Sequence, residues 1–352
     1  MTEKKIRVGF AGAGGMGQAA HLRNYAINPR CEVVAVAELR EKTGQAVARR
    51  YGIPRVYREA SEMIAKEKLD AIVASHPFDR HGIVLSEILK ARVPVFIEKP
   101  LAASLAVGEK LVAAVKAAGT FVMVGYHKRS DPATMWAKRR IGELAAGGDL
   151  GKLRYVRILM PEGDWAPFGF DGLVREDDPQ PSLPRDPPAP DMDPGTFEKY
   201  TAFVNYYIHQ VNLMRHLLGE PYRPVFADRA GVLLVGESDS GITCTIEMTP
   251  FRTTVDWQEQ ALVCFQKGWI RIELPAPLAL NRPGKVEVYA DPGEGVTPTL
   301  SSPTLPWVHA MKQQADNFIS AVRGERPPMT TAEEALEDLR VARAYIRLLT
   351  GK

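Results

Sequence analysis

Along the first 125 residues, short apolar runs alternate with stretches whose apolar positions recur every three or four residues. The runs at 6–11, 32–37, near Val56, 69–74, 93–97 and 121–124 predict strands. The segments between them, 16–27, 41–50, 60–66, 80–91 and 104–118, carry the helical period. Strands alternating with helices imply a parallel, doubly wound sheet with ligands at the carboxyl ends of its strands.

After Val124 the pattern changes. A polar, cation-rich stretch leads into a predicted helix at 133–145 and a strand at 153–160. Residues 161–194 then show no periodicity and hold nine of the 27 prolines with nine acidic residues. A loop of this length is functional or disordered, and its prolines favour an ordered excursion. It is expected as a lid over the active site or an arm to a partner subunit, anchored by Trp165, Phe168 and Phe170, with a plain surface insertion as the alternative. One long helix is predicted over 197–218, with Tyr200, Phe203, Val204, Tyr207, Val211, Met214 and Leu218 as its core stripe. Asn205, His209, Asn212 and His216 form a separate polar stripe. The β-type runs 224–235, 241–248, 253–264, 269–274 and 285–289 follow one another across short turns, which implies a mostly antiparallel sheet. A loop at 292–306 and helices at 309–322 and 331–349 close the chain. The expected domains are 1–125, 126–328 (containing the proline-rich loop) and a terminal helical segment, 329–352, packing back near the first domain.

Composition narrows the function classes. A length of 352 residues suits two domains, and 45% apolar with 25% charged residues is ordinary for a globular protein. A net charge of +3 without a basic block argues against nucleic acid or an anionic membrane as partner. Cys31, Cys244 and Cys264 are scattered and read as packed thiols in a reducing compartment. Met1–Lys5 run into a strand without the apolar core of a secretory signal, and no run of about 18 apolar residues exists, so a cytoplasmic protein is expected.

The candidate chemistry begins at Gly12-Ala13-Gly14-Gly15-Met16-Gly17, between a strand and a helix, the context that gives G-x-G-x-x-G its meaning. Gly12 permits the turn, Gly14 lets backbone approach phosphate, and Gly17 lets helix pack on strand; the helix N-terminus offers its N–H groups to a pyrophosphate. Glu38 ends the second strand, where a carboxylate accepts from the adenosine ribose diol and repels a 2′-phosphate. NAD is therefore expected, with NADP as the alternative because Arg40 stands two residues on. Ser75, His76, Pro77 and His81 follow another strand end and are expected beside the cofactor or in structural roles. No His, Cys or carboxylate cluster has metal-ligand spacing, so no metal is expected.

The glycine turn, Glu38, Ser75-His76-Pro77 with His81, and above all Phe96-Ile97-Glu98-Lys99-Pro100-Leu101 resemble the glucose–fructose oxidoreductase/inositol dehydrogenase (Gfo/Idh/MocA) family over nearly the whole chain. The resemblance implies an N-terminal Rossmann domain, with Glu98 and Lys99 at the nicotinamide end, Lys99 bonding the reacting hydroxyl, and a Lys99–Pro100 bond able to be cis. It implies a C-terminal α+β domain with a large open, mostly antiparallel sheet, through which a homodimer or homotetramer forms. It places His127, Lys128 and Arg129 along the substrate cleft, although a solvated linker fits these three equally well. Trp165, Tyr206 and Asn212 are further substrate-side candidates. On the helix where the family carries Asp-x-x-x-His, this chain has Asn205 and His209. Asparagine can orient the histidine but supplies no charge, so His209 should be a weaker base; Asp164 or Asp171 could compensate, and Tyr206 and Tyr207 could substitute.

The reading that follows is an NAD-dependent oxidoreductase acting on a secondary alcohol of a sugar, glycoside or cyclitol. Lys99 would stabilise the developing alkoxide and His209 would take the proton. A redox-neutral enzyme with tightly held NAD, using transient oxidation for elimination, epimerisation or glycoside cleavage, is the alternative. A nucleotide-sensing regulator is a third reading, disfavoured by the presence of both Lys99 and His209.

Overall fold

A computed structural model describes residues 4–351; Met1–Glu3, part of the stretch read above for a secretory signal, lie outside the described residues, as does Lys352. The chain divides into two compact units. The first takes in the chain up to Tyr126 together with Phe168–Asp193 and Gln314–Leu339; the second takes in His127–Pro167, Pro194–Gln313 and the remainder from Arg340.

The first unit is built on strands β1 (Ile6–Ala11), β2 (Cys31–Ala37), β3 (Arg55–Tyr57), β4 (Ala71–Ala74), β5 (Val95–Ile97) and β6 (Val122–Val124). They form one sheet in the order β3-β2-β1-β4-β5-β6, parallel throughout. The strands are short and apolar because both faces are covered; Val8, Phe10, Ile72, Val73 and Val95 are fully enclosed. The helices are α1 (Arg23–Ala26), which continues a wider helical turn over Gly17–Leu22, then α2 (Glu41–Tyr51), α3 (Ala60–Lys66), α4 (His81–Ile88) and α5 (Leu105–Ala118). The chain runs outward in one direction from β1 to β3 and in the other from β4 to β6. The crevice between β1 and β4 is therefore the topological switch point, where such sheets bind ligands.

The return of the chain to this unit comes earlier than the pattern suggests. Phe318, on the helix Ala310–Val322, packs edge-on against Phe96, Tyr25 and Phe121 with ring centroids 5.8, 6.3 and 6.2 Å away. Val124 donates to the Thr330 carbonyl at 3.0 Å, which extends the sheet beside β6.

In the second unit, α6 (Pro132–Gly147), α7 (Pro194–Tyr206) and α8 (Ile208–Leu218) accompany strands β7 (Leu153–Glu162), β8 (Tyr222–Ala227), β9 (Leu233–Ser238), β10 (Thr243–Arg252), β11 (Glu259–Phe265), β12 (Gly268–Leu274), β13 (Lys285–Ala290) and β14 (Thr299–Ser301). The sheet order is β14-β13-β12-β11-β7-β10-β9-β8, antiparallel except for the β7–β10 pair. Burial alternates along β9 to β13, so one face is core. The other face carries polar pairs such as Arg157–Glu247 at 2.9 Å and Arg223–Glu237 at 2.8 Å.

Three differences from the sequence pattern stand out. The predicted strand 224–235 is a hairpin, β8 and β9, because Asp228 turns the chain by accepting from the Ala230 and Leu233 amides. The predicted loop 292–306 contains β14. The predicted helix 197–218 is interrupted at Tyr207, which separates α7 from α8.

Candidate active site

The glycine turn follows β1 and faces the end of β4. Gly12 has φ of 91°, and a Cβ there would stand 2.4 Å from the Ser75 carbonyl oxygen and 3.3 Å from His76 Nε2. A Cβ on Gly17 would stand 2.4 Å from the Gly12 oxygen, so the helix must start close against the turn. A Cβ on Gly14 would meet nothing within 4 Å. The turn therefore closes tightly on the Ser75 backbone at its start and on its own backbone at Gly17, and opens in the middle, a cradle suited to a pyrophosphate. Met16 caps the helical turn Gly17–Leu22.

Glu38 is fixed to this turn. Its Oε2 accepts from the Ala13 amide at 2.9 Å and its Oε1 from Arg40 Nε at 2.8 Å. Burial opposes ionisation of Glu38, but the Arg40 side chain, the Arg40 and Ala13 amides and the guanidinium charge together hold its carboxyl below the ordinary value. Oε1 also accepts from the Arg40 amide at 3.2 Å, so the lone pair left for a ribose hydroxyl is on Oε2. Arg40 is thus tied to Glu38 instead of standing open for a phosphate.

At the end of β4, burial, followed by the charges of His81 and Arg80, lowers His76 to about 4, so its imidazole is neutral at ordinary pH. Its Nδ1 is enclosed and meets no hydrogen-bond partner among the described residues. His81 is only 1% exposed, with Nδ1 3.1 Å from the Leu101 oxygen and Nε2 3.3 Å from the His76 oxygen. Burial keeps that ring neutral, so it donates one bond at a time and ties the β4 and β5 end loops together. Pro77 starts the turn Phe78–Arg80.

At the end of β5, Glu98 pairs with His21, which lies on the helical turn that begins at Gly17. Glu98 also accepts from the Lys99 amide at 3.1 Å, and the Lys99–Pro100 bond is cis. Burial disfavours the Glu98 carboxylate, yet His21 and Lys99 outweigh it and lower its pKa. His21 was not singled out from the sequence, although it stands four residues after Gly17, one helical turn along the face that meets the sheet.

The segment Phe168–Asp193 lies on this unit as a strap. Phe170 and Leu173 lie 3.6 and 3.9 Å from the Cβ position of Gly15. The Gln18 side-chain amide donates to the Val174 oxygen at 3.0 Å and accepts from the Val174 amide at 2.9 Å. The proposed anchor Phe168 is 86% exposed, so the hold comes from Phe170, Leu173 and polar bonds.

The second unit gathers the other candidates. His127 and His209 rings meet edge-on with centroids 4.5 Å apart. Arg129 Nε donates to Asn212 Oδ1 at 2.7 Å. The Lys128 ammonium pairs with Glu259, which also accepts from Gln210 Nε2 at 2.7 Å and Trp257 Nε1 at 3.2 Å. Lys128 and Glu259 are 3% and 2% exposed, so this cation is neutralised internally and not offered to solvent. Glu259, Gln210 and Trp257 were missed; the signal was an acid in phase with the core positions Ala261, Val263 and Phe265. A small, open pocket is lined by His127, Lys128, Asp131 and residues 274–277 and 279. Asn205 is exposed on α7, across the Tyr207 break from His209. Burial first, then the Tyr207 hydroxyl, pushes Tyr206 up to about 12, which makes it a poor proton donor. Trp165 is 37% exposed and its carbonyl accepts from the Leu278 amide at 3.2 Å. Among the described residues no group of three or more His, Cys, Asp or Glu could hold a metal ion, and no helix is long and apolar enough to cross a membrane.

A six-stranded parallel sheet with this turn at its switch point is a dinucleotide-binding domain of the Rossmann type. Residues 6–126 match the model of the Gfo/Idh/MocA oxidoreductase family, described as an NAD-binding Rossmann fold. An inositol 2-dehydrogenase of Acidothermus cellulolyticus is 33% identical over 150 residues, 42% of this chain and 44% of that protein. An inositol 2-dehydrogenase of Rhizobium meliloti is 24% identical over 99% of this chain and 98% of its own. The aldose-aldose oxidoreductase of Caulobacter crescentus, solved with glycerol, superposes with a TM-score of 0.71 at 19% identity, covering 99% of this chain and 98% of that one. The matched stretches span 44%, 60% and 55% of three inositol dehydrogenases. Over residues 6–126 the chain carries the NAD-binding domain of the Gfo/Idh/MocA oxidoreductases, and the remainder is similar to members such as the Rhizobium meliloti enzyme.

Proposed function

We propose that the protein is an NAD-dependent oxidoreductase that moves a hydride between the nicotinamide and a secondary alcohol of a sugar, glycoside or cyclitol. The observation that carries this reading is the Glu98–His21 tie, which fixes the Lys99 segment to the helix leading out of the glycine turn. The inositol dehydrogenases among its relatives support the substrate class.

The bound NAD would supply the hydride acceptor. Backbone of Gly12, Gly14, Gly15, Met16 and Gly17 would hold its pyrophosphate, and Glu38 its adenosine ribose. Ser75, His76 and Pro77, one strand over, would wall the site on the β4 side. Lys99 donates to the oxygen of the reacting hydroxyl and stabilises the alkoxide as the C–H bond breaks. His209, with Asn205 in place of a carboxylate, accepts the hydroxyl proton. His127 lies against the His209 ring, while Arg129 and Asn212 hold each other and shape the polar wall. Lys128 acts through its Glu259 pair, not as a direct substrate cation. A homodimer or homotetramer through the open face of the second sheet completes the reading. The comparisons give the redox-neutral alternative no support.

The test is a panel of cyclitols, aldoses and glycosides with NAD, followed by the near-ultraviolet absorbance of NADH. At least one should be oxidised, and Lys99→Ala should lower kcat by about 100-fold or more while NAD affinity stays within about threefold. A silent panel, or an unchanged rate in the variant, would contradict the reading.

A further inference from the structure

Helix α2 starts three residues after Glu38, at the end of the second strand, where an adenosine ribose lies in this fold. Its eleven residues give it a real N-terminus, with free N–H groups and a partial positive charge. The Thr43 amide and hydroxyl, the Lys42 ammonium and the Arg40 guanidinium converge there. Together they are the groups that a 2′-phosphate of NADP would use.

In this chain those groups are already taken. Asp178 of the strap accepts from the Thr43 amide at 3.1 Å and from Thr43 Oγ1 at 2.6 Å. Asp177 pairs with Lys42 at 2.6 Å, and Arg40 is held by Glu38 at 2.8 Å. Thr43 is only 1% exposed, so Asp178 bonds an enclosed donor pair, whereas the exposed Lys42–Asp177 contact contributes little. The register of Asp178 is set from both sides. Upstream, Val174 is paired with Gln18. Downstream, Asp186 accepts from the Gly82 amide at 2.8 Å and donates its own amide to the Asp79 oxygen at 2.6 Å.

We propose that Asp178 is a specificity-determining residue for the cofactor: its carboxylate fills the anion site at the N-terminus of α2 that a 2′-phosphate would need, so the strap selects NAD against NADP. The proposal rests on the nucleotide site described above and adds a second device to Glu38. Binding NADP would require expelling one carboxylate and placing a dianion beside Glu38, Asp177 and Glu176. Selectivity would then come from a built-in competitor as well as from the favoured contact.

The experiment titrates the full-length protein with 5′-AMP and with 2′,5′-ADP, fragments that differ at the 2′ position and need no sugar substrate. Wild type should bind 5′-AMP at least about tenfold more tightly. Asp178→Ala should tighten 2′,5′-ADP by about tenfold while 5′-AMP stays within about twofold. Asp178→Asn, which keeps one of the two oxygens that accept from Thr43 and removes the charge, should move in the same direction and guards against a loosened strap. Unchanged 2′,5′-ADP binding in both variants, or a wild-type preference for 2′,5′-ADP, overturns the proposal and leaves the oxidoreductase reading standing. Binding of neither fragment to wild type would overturn the nucleotide site and this proposal together.

Discussion

His76 sits where β4 meets the glycine turn, enclosed beside His81, Arg80 and, at longer range, Glu38. Its folded value of about 4 lies below the ordinary 6.5, so between these values the unfolded chain binds the proton that the folded chain refuses. Stability is therefore full above about 6.5 and is lost as pH falls toward 4. Asp131 acts in the opposite sense: burial raises it to about 6 from 3.8 despite its bonds from the Ala133 and Gly284 amides, and its contribution is lost as pH rises through 6. The difference between proteins separates the two. His76→Gln should lose less melting temperature than wild type between about pH 7 and pH 5, and equal losses would contradict the assignment. At this scale the sequence was most legible where chemistry demands a particular residue at a fixed spacing: Gly12, Gly14, Gly17, Glu38 and Lys99 stand on the elements expected of them. His81 was less so, because its ring bonds backbone carbonyls of residues 5 and 20 positions away, which no pattern announces.

Among the elements, the glycine turn separates two reasons for having glycine. Gly17→Ala drives a Cβ into the Gly12 oxygen 2.4 Å away and should cost about 2 to 4 kcal/mol of stability. Gly14→Ala meets open space and should change stability by no more than about 0.5 kcal/mol. It should nevertheless weaken NAD binding by about tenfold, because the methyl stands where the phosphates approach. Thermal melts with NAD titrations check both, and a Gly14→Ala protein binding NAD like wild type would refute the cradle. The parallel strands and their helices were readable because period and turn chemistry agreed. The division of the 197–218 stretch into α7 and α8 was not. Phe203, Tyr207 and Val211 keep the helical spacing across the break, and the interruption shows only in the backbone, where the Gln210 amide bonds the Tyr207 oxygen at 3.0 Å.

For the whole molecule, the interleaving of the chain was the least legible feature. Each unit draws on three separate stretches, and the strap Phe168–Asp193 belongs to the first unit although both of its neighbours in sequence belong to the second. Its prolines and acids gave no period, and its attachments are paired hydrogen bonds between residues more than 100 positions apart, such as Gln18–Val174 and Thr43–Asp178. Composition announced an ordered loop; only the fold shows that it lies on the nucleotide domain of its own chain. Every role assigned to the first unit depends on one nicotinamide dinucleotide sitting on the Gly12–Gly17 turn. The most direct measurement is to denature the purified protein, quantify released nicotinamide nucleotide, and titrate whatever site remains with NAD. One NAD per chain, carried through purification or bound on addition, is the expected result. A protein that neither carries nor binds a nicotinamide nucleotide would contradict the nucleotide site itself.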